Sequence, residues 1–124
     1  MLSKLEIHAS LPVKDLQRAR RFYADKLGLM PKSELPGGLI YQCKDSWFFL
    51  FPSSGASTGQ FTQAIWQTDN VEAEVAALKS KGVVFEEYNT PDLKTVNSIA
   101  TMGNNRSAWF KDSEGNLLAI VQMG

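Results

Sequence analysis

The stretch IHASLPVKD holds the chain's single histidine, His8. Such an imidazole serves as a metal ligand, as a general base, or as a polar wall residue bonded to a neighbour such as Gln63. The single cysteine, Cys43, excludes an internal disulfide and a cysteine-rich metal site within one chain, so it is expected to act as a small buried hydrophobe. A Cys43 and His8 nucleophilic pair has little support. Nothing in IYQCKDS resembles a helix N-terminus or a basic niche that would lower a thiol pKa.

The aromatic residues carry more information. Tyr41, Trp47, Phe48, Phe49, Phe51, Trp66, Trp109 and Phe110 fall on strand-like runs, and strand alternation sends about half of them to either face of a sheet. Because WFFLF is apolar on both faces, some large rings must project into a cavity rather than solvent. An aromatic pocket with a few polar groups (His8, Gln63, Gln67, Tyr41) suits a planar or amphipathic small molecule. Core packing and burial in a dimer are the competing uses of the same rings. Arg106, with Asn104 in MGNNRSAWF, lies near a strand mouth and either meets an anionic or carbonyl group of a ligand or belongs to a solvated turn.

The elements that must position these groups follow from periodicity. KLEIHASLPV alternates as a strand, with Ile7, Ala9 and Leu11 on one face and Glu6, His8 and Ser10 on the other. Asp15 can cap a helix that carries Leu16, Ala19, Phe22 or Tyr23, and Leu27 inward and stops at Gly28. Strand-like runs follow at about Leu29 to Glu34, Leu39 to Cys43 and Trp47 to Phe51, and PSSGASTGQ reads as a flexible connection. The order then repeats. TQAIWQT is a strand and DNVEAEVAALKSKG a helix; further strands are expected at Val83 to Tyr88, Ser98 to Met102, Arg106 to Lys111 and Leu117 to Gln122, with NTPDLKTVN a loop. One offset superposes His8 on Gln63 and Asp15 on Asn70, which makes internal duplication the economical reading.

With 124 residues, the expected organisation is a single domain over 1–124, with module 1 at about 1–52, a linker at about 53–60 and module 2 at about 61–124. Thirteen basic residues balance thirteen acidic ones, which leaves no field for capturing nucleic acid. The longest apolar run is far too short for a membrane span and the start lacks a signal peptide's apolar region, so a cytoplasmic protein without a membrane partner is expected. The charges of QRARR and EAEVAALKSK read as solvent faces of the helices.

In order and spacing, HASLPVKDLQRARRFYADKLGL, VEAEVAALKSKGVVFEE and SAWFKDSEGNLLAIV resemble the vicinal oxygen chelate superfamily, over essentially the whole chain. That superfamily includes glyoxalase I, the bleomycin and fosfomycin resistance proteins and extradiol dioxygenases. The resemblance implies an α+β fold of two tandem βαβββ modules forming a curved mixed sheet, an open half-barrel with helices outside. Its cavity holds either a divalent metal or simply a ligand. By the same resemblance His8 matches the first-strand metal ligand and Gln63 its counterpart in the second module. GNLLA places Ala119 where metal-binding members carry glutamate, and the fourth position falls in WFFLF, at Phe49.

One imidazole and one neutral amide make a weak cage for a divalent cation, since neither offsets the lost hydration. Glu6, on the strand face of His8, and Glu34 are the remaining conceivable carboxylates. A two-histidine, one-carboxylate iron triad is not available within one chain, and a two-fold partner adds a second His8 together with a second site to fill. The expectation is therefore a protein that binds a small aromatic or amphipathic molecule without a cofactor, in a cavity that a homodimer shares. Its contacts are expected at His8, Tyr41, Trp47, Phe49, Gln63, Gln67, Arg106, Trp109 and Ala119. The alternative is a divalent-metal lyase, isomerase, hydrolase or dioxygenase-type enzyme with His8 and Gln63 as ligands. A third reading is an interaction protein whose inner sheet face serves only to dimerise.

Overall fold

The computed structural model describes residues 1–124. A short 3-10 turn, Leu2–Lys4, precedes β1 (Ala9–Val13), α1 (Leu16–Leu27), β2 (Ser33–Leu35), β3 (Gly38–Cys43) and β4 (Ser46–Pro52). The second half comprises β5 (Thr62–Gln67), α2 (Val71–Ser80), β6 (Thr95–Val96), β7 (Ile99–Met102), β8 (Asn105–Lys111) and β9 (Leu117–Gln122). Two mixed sheets result, ordered β1-β4-β3-β2 and β5-β9-β8-β7-β6, with β1 parallel to β4 and β5 parallel to β9. Each module is thus βαβββ, with the small β6 added to the second, and neither sheet closes on itself.

The two helices begin alike. Asp15 accepts from Arg18 N at 3.0 Å and Asn70 accepts from Ala73 N at 3.1 Å, so the duplication visible in sequence is a duplication of cap geometry. Gly28, at φ 70°, ends α1 in the left-handed region, where a side chain would be strained. Register supports the same superposition: Ser10 pairs with Phe49 as Ile65 pairs with Ala119, and Leu11 with Leu50 as Trp66 with Ile120.

One core serves both sheets. Leu11, Val13, Tyr23, Tyr41, Phe48 and Leu50 of the first module join Val71, Val75, Phe110, Leu118 and Ile120 of the second in a single cluster. Rings bridge the seam, from Tyr23 to Phe48 (centroids 5.8 Å apart), to Trp66 (5.9 Å) and on to Phe110 (6.3 Å). Both helices pack on this face, so the alternate strand residues look out from the opposite, open face.

Several boundaries differ from the sequence expectation. The first strand begins only at Ala9, because β4 offers a pairing partner from Phe48 onward; Ile7 is 92% exposed. β2 starts after Pro31, which has no N–H to donate, and pairs through Ser33 with Ile40. The expected strand Val83 to Tyr88 reduces to one bridge, Phe85 to Phe110, and a bond from Glu86 N to Trp109 O (2.8 Å). The edge of β8 is divided: β7 takes Asn105 to Ser107, and this segment takes the rest. Within the expected loop NTPDLKTVN, Thr95 and Val96 form β6 against β7.

Candidate functional site on the open face

The open face carries His8, Ser10, Trp47, Phe49 and Phe51 from the first sheet and Ile65, Trp109 and Ala119 from the second, since their strand neighbours fill the core. It is aromatic and partly bare. Trp47 is 37% exposed and Ile65 62% exposed, while the rings of Phe49 and Phe51 lie near parallel with centroids 6.4 Å apart. Large apolar groups left in water in this way mark a surface that takes a ligand or a partner. Ala119 sits in register between Ile65 and Trp109 and is fully buried. Trp109 is held by a bond from its Nε1 to Thr62 Oγ1 (3.1 Å) and by an edge contact with Tyr88 (5.6 Å).

His8 stacks on Trp47 with ring centroids 3.7 Å apart and planes 18° from parallel. Its Nδ1 lies 3.0 Å from Trp47 O, and because a carbonyl only accepts, that nitrogen carries the proton. Its Nε2 lies 3.2 Å from Glu6 Oε2. Nδ1 is thus taken by the Trp47 carbonyl, while Nε2 faces the solvent-exposed Glu6 carboxylate.

Gln63 is committed elsewhere. Its Oε1 accepts from Ser57 Oγ (2.5 Å) and Leu117 N (3.1 Å), and its Nε2 donates to Asn116 Oδ1 (2.9 Å). Asn116 in turn donates to Pro12 O and to Asp112 Oδ2, both at 2.9 Å, and Asp112 Oδ2 accepts from Tyr23 OH at 2.7 Å. Glu114 closes this network. Its Oε1 accepts from Lys14 N and Asp15 N (2.9 Å each) and Arg18 Nη2 (3.0 Å), and its Oε2 accepts from Arg18 Nε (2.8 Å) and Ser113 Oγ (2.7 Å). The Arg18 guanidinium, helped by the Asp15, Ser113 and Lys14 donors, holds the Glu114 carboxyl down to about 2 against the cost of burial. Burial and the Asp112 carboxylate push the Tyr23 phenol well up. By its composition DSEGN reads as a tight turn between two strands. The signal available was a pair of acidic side chains in that turn, Asp112 and Glu114, whose partners Tyr23 and Arg18 lie on α1, so it becomes meaningful only once α1 lies against it.

The remaining expected contacts divide. Gln67 is exposed at the end of β5. Tyr41 is fully buried on the helix face, stacked on Phe48 at 5.1 Å, with its hydroxyl unpartnered. Arg106 also points to the helix side, where Glu72 Oε1 is 2.7 Å away. The structure thus gathers Trp47, Phe49, Trp109, Ala119 and His8 on one face, joins His8 to Glu6 and Trp47 rather than to Gln63, and sets Tyr41 and Arg106 on the other side.

A family model described as the glyoxalase/bleomycin resistance protein/dioxygenase superfamily matches residues 7–120. The chain belongs to that superfamily. Solved structures of similar fold include TnmS3, an antibiotic binding protein from Streptomyces sp. CB03234 (25% identity, TM-score 0.69, 97% of this chain and 98% of that one). A glyoxalase/bleomycin resistance protein from the same strain is 27% identical (TM-score 0.62, 90% and 94% covered). A bleomycin-binding protein complexed with bleomycin is 20% identical (TM-score 0.72, 97% and 99% covered) and shows likeness of fold. A comparison with curated proteins gave no match. No helix is long and apolar enough to cross a membrane.

Glyoxalase-type and dioxygenase-type members of the superfamily use a metal, and the residues here do not fit one. The pairing of Ser10 with Phe49 and of Ile65 with Ala119 makes Phe49 and Ala119 equivalent positions, and neither side chain is a donor. The Gln63 oxygen already accepts two hydrogen bonds, the nitrogens of His8 meet Trp47 O and Glu6, and nowhere do three or more His, Cys, Asp or Glu side chains converge.

Proposed function

We propose that this superfamily member binds a planar aromatic or amphipathic small molecule on the open sheet face, without a metal, as a single domain of two modules. The observation that carries this reading is the solvent-facing row of Trp47, Phe49, Ile65 and Trp109 at a site where the metal-binding positions hold Phe49, Ala119 and an amide already spent on hydrogen bonds. Flat rings gain most from such a wall, by offset stacking as well as burial. A second copy of the chain covers the same face from the other side and encloses the ligand, which makes the working unit a homodimer in the cytoplasm. TnmS3, named as an antibiotic binding protein, supports a sequestering role.

The test is titration with bleomycin and a panel of planar aromatic antibiotics, followed by tryptophan fluorescence and calorimetry. At least one ligand is expected to bind with a micromolar or tighter constant, weakened about tenfold or more by Trp47→Ala or Trp109→Ala, in line with the loss of an aromatic anchor. Absence of binding across the panel, or binding indifferent to both substitutions, removes the proposal.

The second reading, a metal-dependent lyase, isomerase or dioxygenase-type enzyme using His8, draws on one observation, the Glu6 carboxylate beside His8 Nε2. Elemental analysis separates the two: a stoichiometric zinc, nickel, iron or manganese lost on His8→Ala supports the enzyme, and its absence supports the binder.

A further inference from the structure

The duplicated fold has two equivalent ends along the seam between β1 and β5, and they are filled differently. At one end the β8–β9 turn fits against α1. Asp112 receives the Tyr23 hydroxyl, and Glu114 receives Arg18 and two backbone N–H groups, so side chains occupy the space between turn and helix. At the other end the same superposition sets Leu78 of α2 in the place of Tyr23, Ala73 in that of Arg18 and Cys43 in that of Asp112. The β3–β4 turn there is only Lys44 and Asp45, one residue shorter than Ser113, Glu114 and Gly115. Smaller side chains and a shorter turn leave a cleft of about 470 Å³, walled by Cys43, Lys44, Trp66, Glu74, Leu78 and Phe110.

We infer that this helix-side cleft is a second binding site, separate from the open face, for a compact planar aromatic molecule bearing a hydrogen-bonding group. Its volume lies within the range of small-molecule pockets. The half-buried Trp66 indole lines the cleft, backed by the buried Phe110 ring lying 16° from parallel to it, and Trp66 Nε1 is tied to Cys43 Sγ at 3.4 Å, which fixes the indole's orientation. A flat ring can pack against the accessible part of that indole. No anion is needed to satisfy the start of α2, because Thr68 Oγ1 accepts from Asn70 N and Gln122 Oε1 accepts from Val71 N. Lys44 and Glu74, neither in an ion pair, supply a donor and an acceptor at the rim. Lys44, at φ 57°, takes the left-handed conformation that the two-residue β3–β4 turn requires. A second depression of about 530 Å³ shares Cys43, Lys44, Trp66 and Gln67 and opens toward Trp47 and Ile65, so the Cys43–Trp66 contact is the wall between this cleft and the open face.

The experiment titrates the full chain with indole and follows the three tryptophan side-chain N–H signals by NMR. A saturable shift is expected at Trp66, with a dissociation constant on the order of 1 mM for so small a probe. It should persist in Trp47→Ala, which injures only the open face. Leu78→Phe should weaken it about tenfold by filling the space, and the double variant Cys43→Asp with Leu78→Tyr, which rebuilds the Asp112–Tyr23 pair at the empty end, should abolish it. No shift at Trp66, or a shift equal in wild type and Leu78→Phe, overturns the inference. Leu78→Phe suffices if the double variant fails to fold. Loss of open-face binding leaves this outcome untouched, so the two sites fail separately.

Discussion

Glu114 is the residue on which the two modules lean most, and its charge makes the contact sensitive to acid. Its carboxyl is lowered from 4.5 to about 2 chiefly by Arg18, so the unfolded chain takes up this proton first as pH falls. The stabilisation is complete above about pH 4.5 and fades as pH drops toward 2, where both states are protonated. Glu114→Gln is expected to cost about 2–3 kcal/mol at neutral pH and to flatten the acid limb of the stability profile, as measured by urea unfolding at a series of pH values. Tyr41 makes the opposite case. Its buried hydroxyl has no partner, and Tyr41→Phe should leave thermal stability unchanged or raise it by about 1 kcal/mol, because an unsatisfied polar group is removed without loss of a bond. A destabilised Tyr41→Phe protein would show that the hydroxyl is satisfied in solution.

At the scale of elements, the helix caps were legible and the edge strands were not. Asp15 and Asn70 each precede an apolar period and each accept a backbone N–H in the folded chain, because that chemistry is local and needs no partner segment. Asp15→Ala and Asn70→Ala should each cost about 1 kcal/mol in chemical denaturation, and additively, since the two caps share no hydrogen-bond partner. The segment Val83 to Tyr88 reads as a strand from its composition, yet only Phe85 bridges, because β7 already occupies the first half of the β8 edge. Whether an apolar run becomes a strand depends on which edge is free beside it, and nothing within the run records that.

For the whole molecule, the decisive feature is a face left without cover. Ile65, next in register to Ala119, projects from the open side at 62% exposure. Ile65→Asp should leave the fold and the core intact while dispersing the proposed homodimer, read as a fall from dimer to monomer in sedimentation velocity at micromolar concentration. A wild-type protein already monomeric there would remove the shared cavity from the proposed function. The same substitution should weaken any ligand held between two copies and leave the indole response of Trp66 in place, since that cleft opens on the helix side.

Period, capping and turn chemistry suffice to derive the paired βαβββ order and the alternation that divides core from open face. Each of these depends on a residue and its near neighbours, so each survives translation from sequence. The fate of His8 and Gln63 does not. They superpose in the duplication, yet one stacks on Trp47 while the other binds Ser57, Asn116 and Leu117, because their partners arrive from distant strands and turns. The filling of one seam end and the hollowness of the other belong to the same class. They follow from how two turns of unequal length meet two helices, a matter of packing in three dimensions that only the folded chain decides.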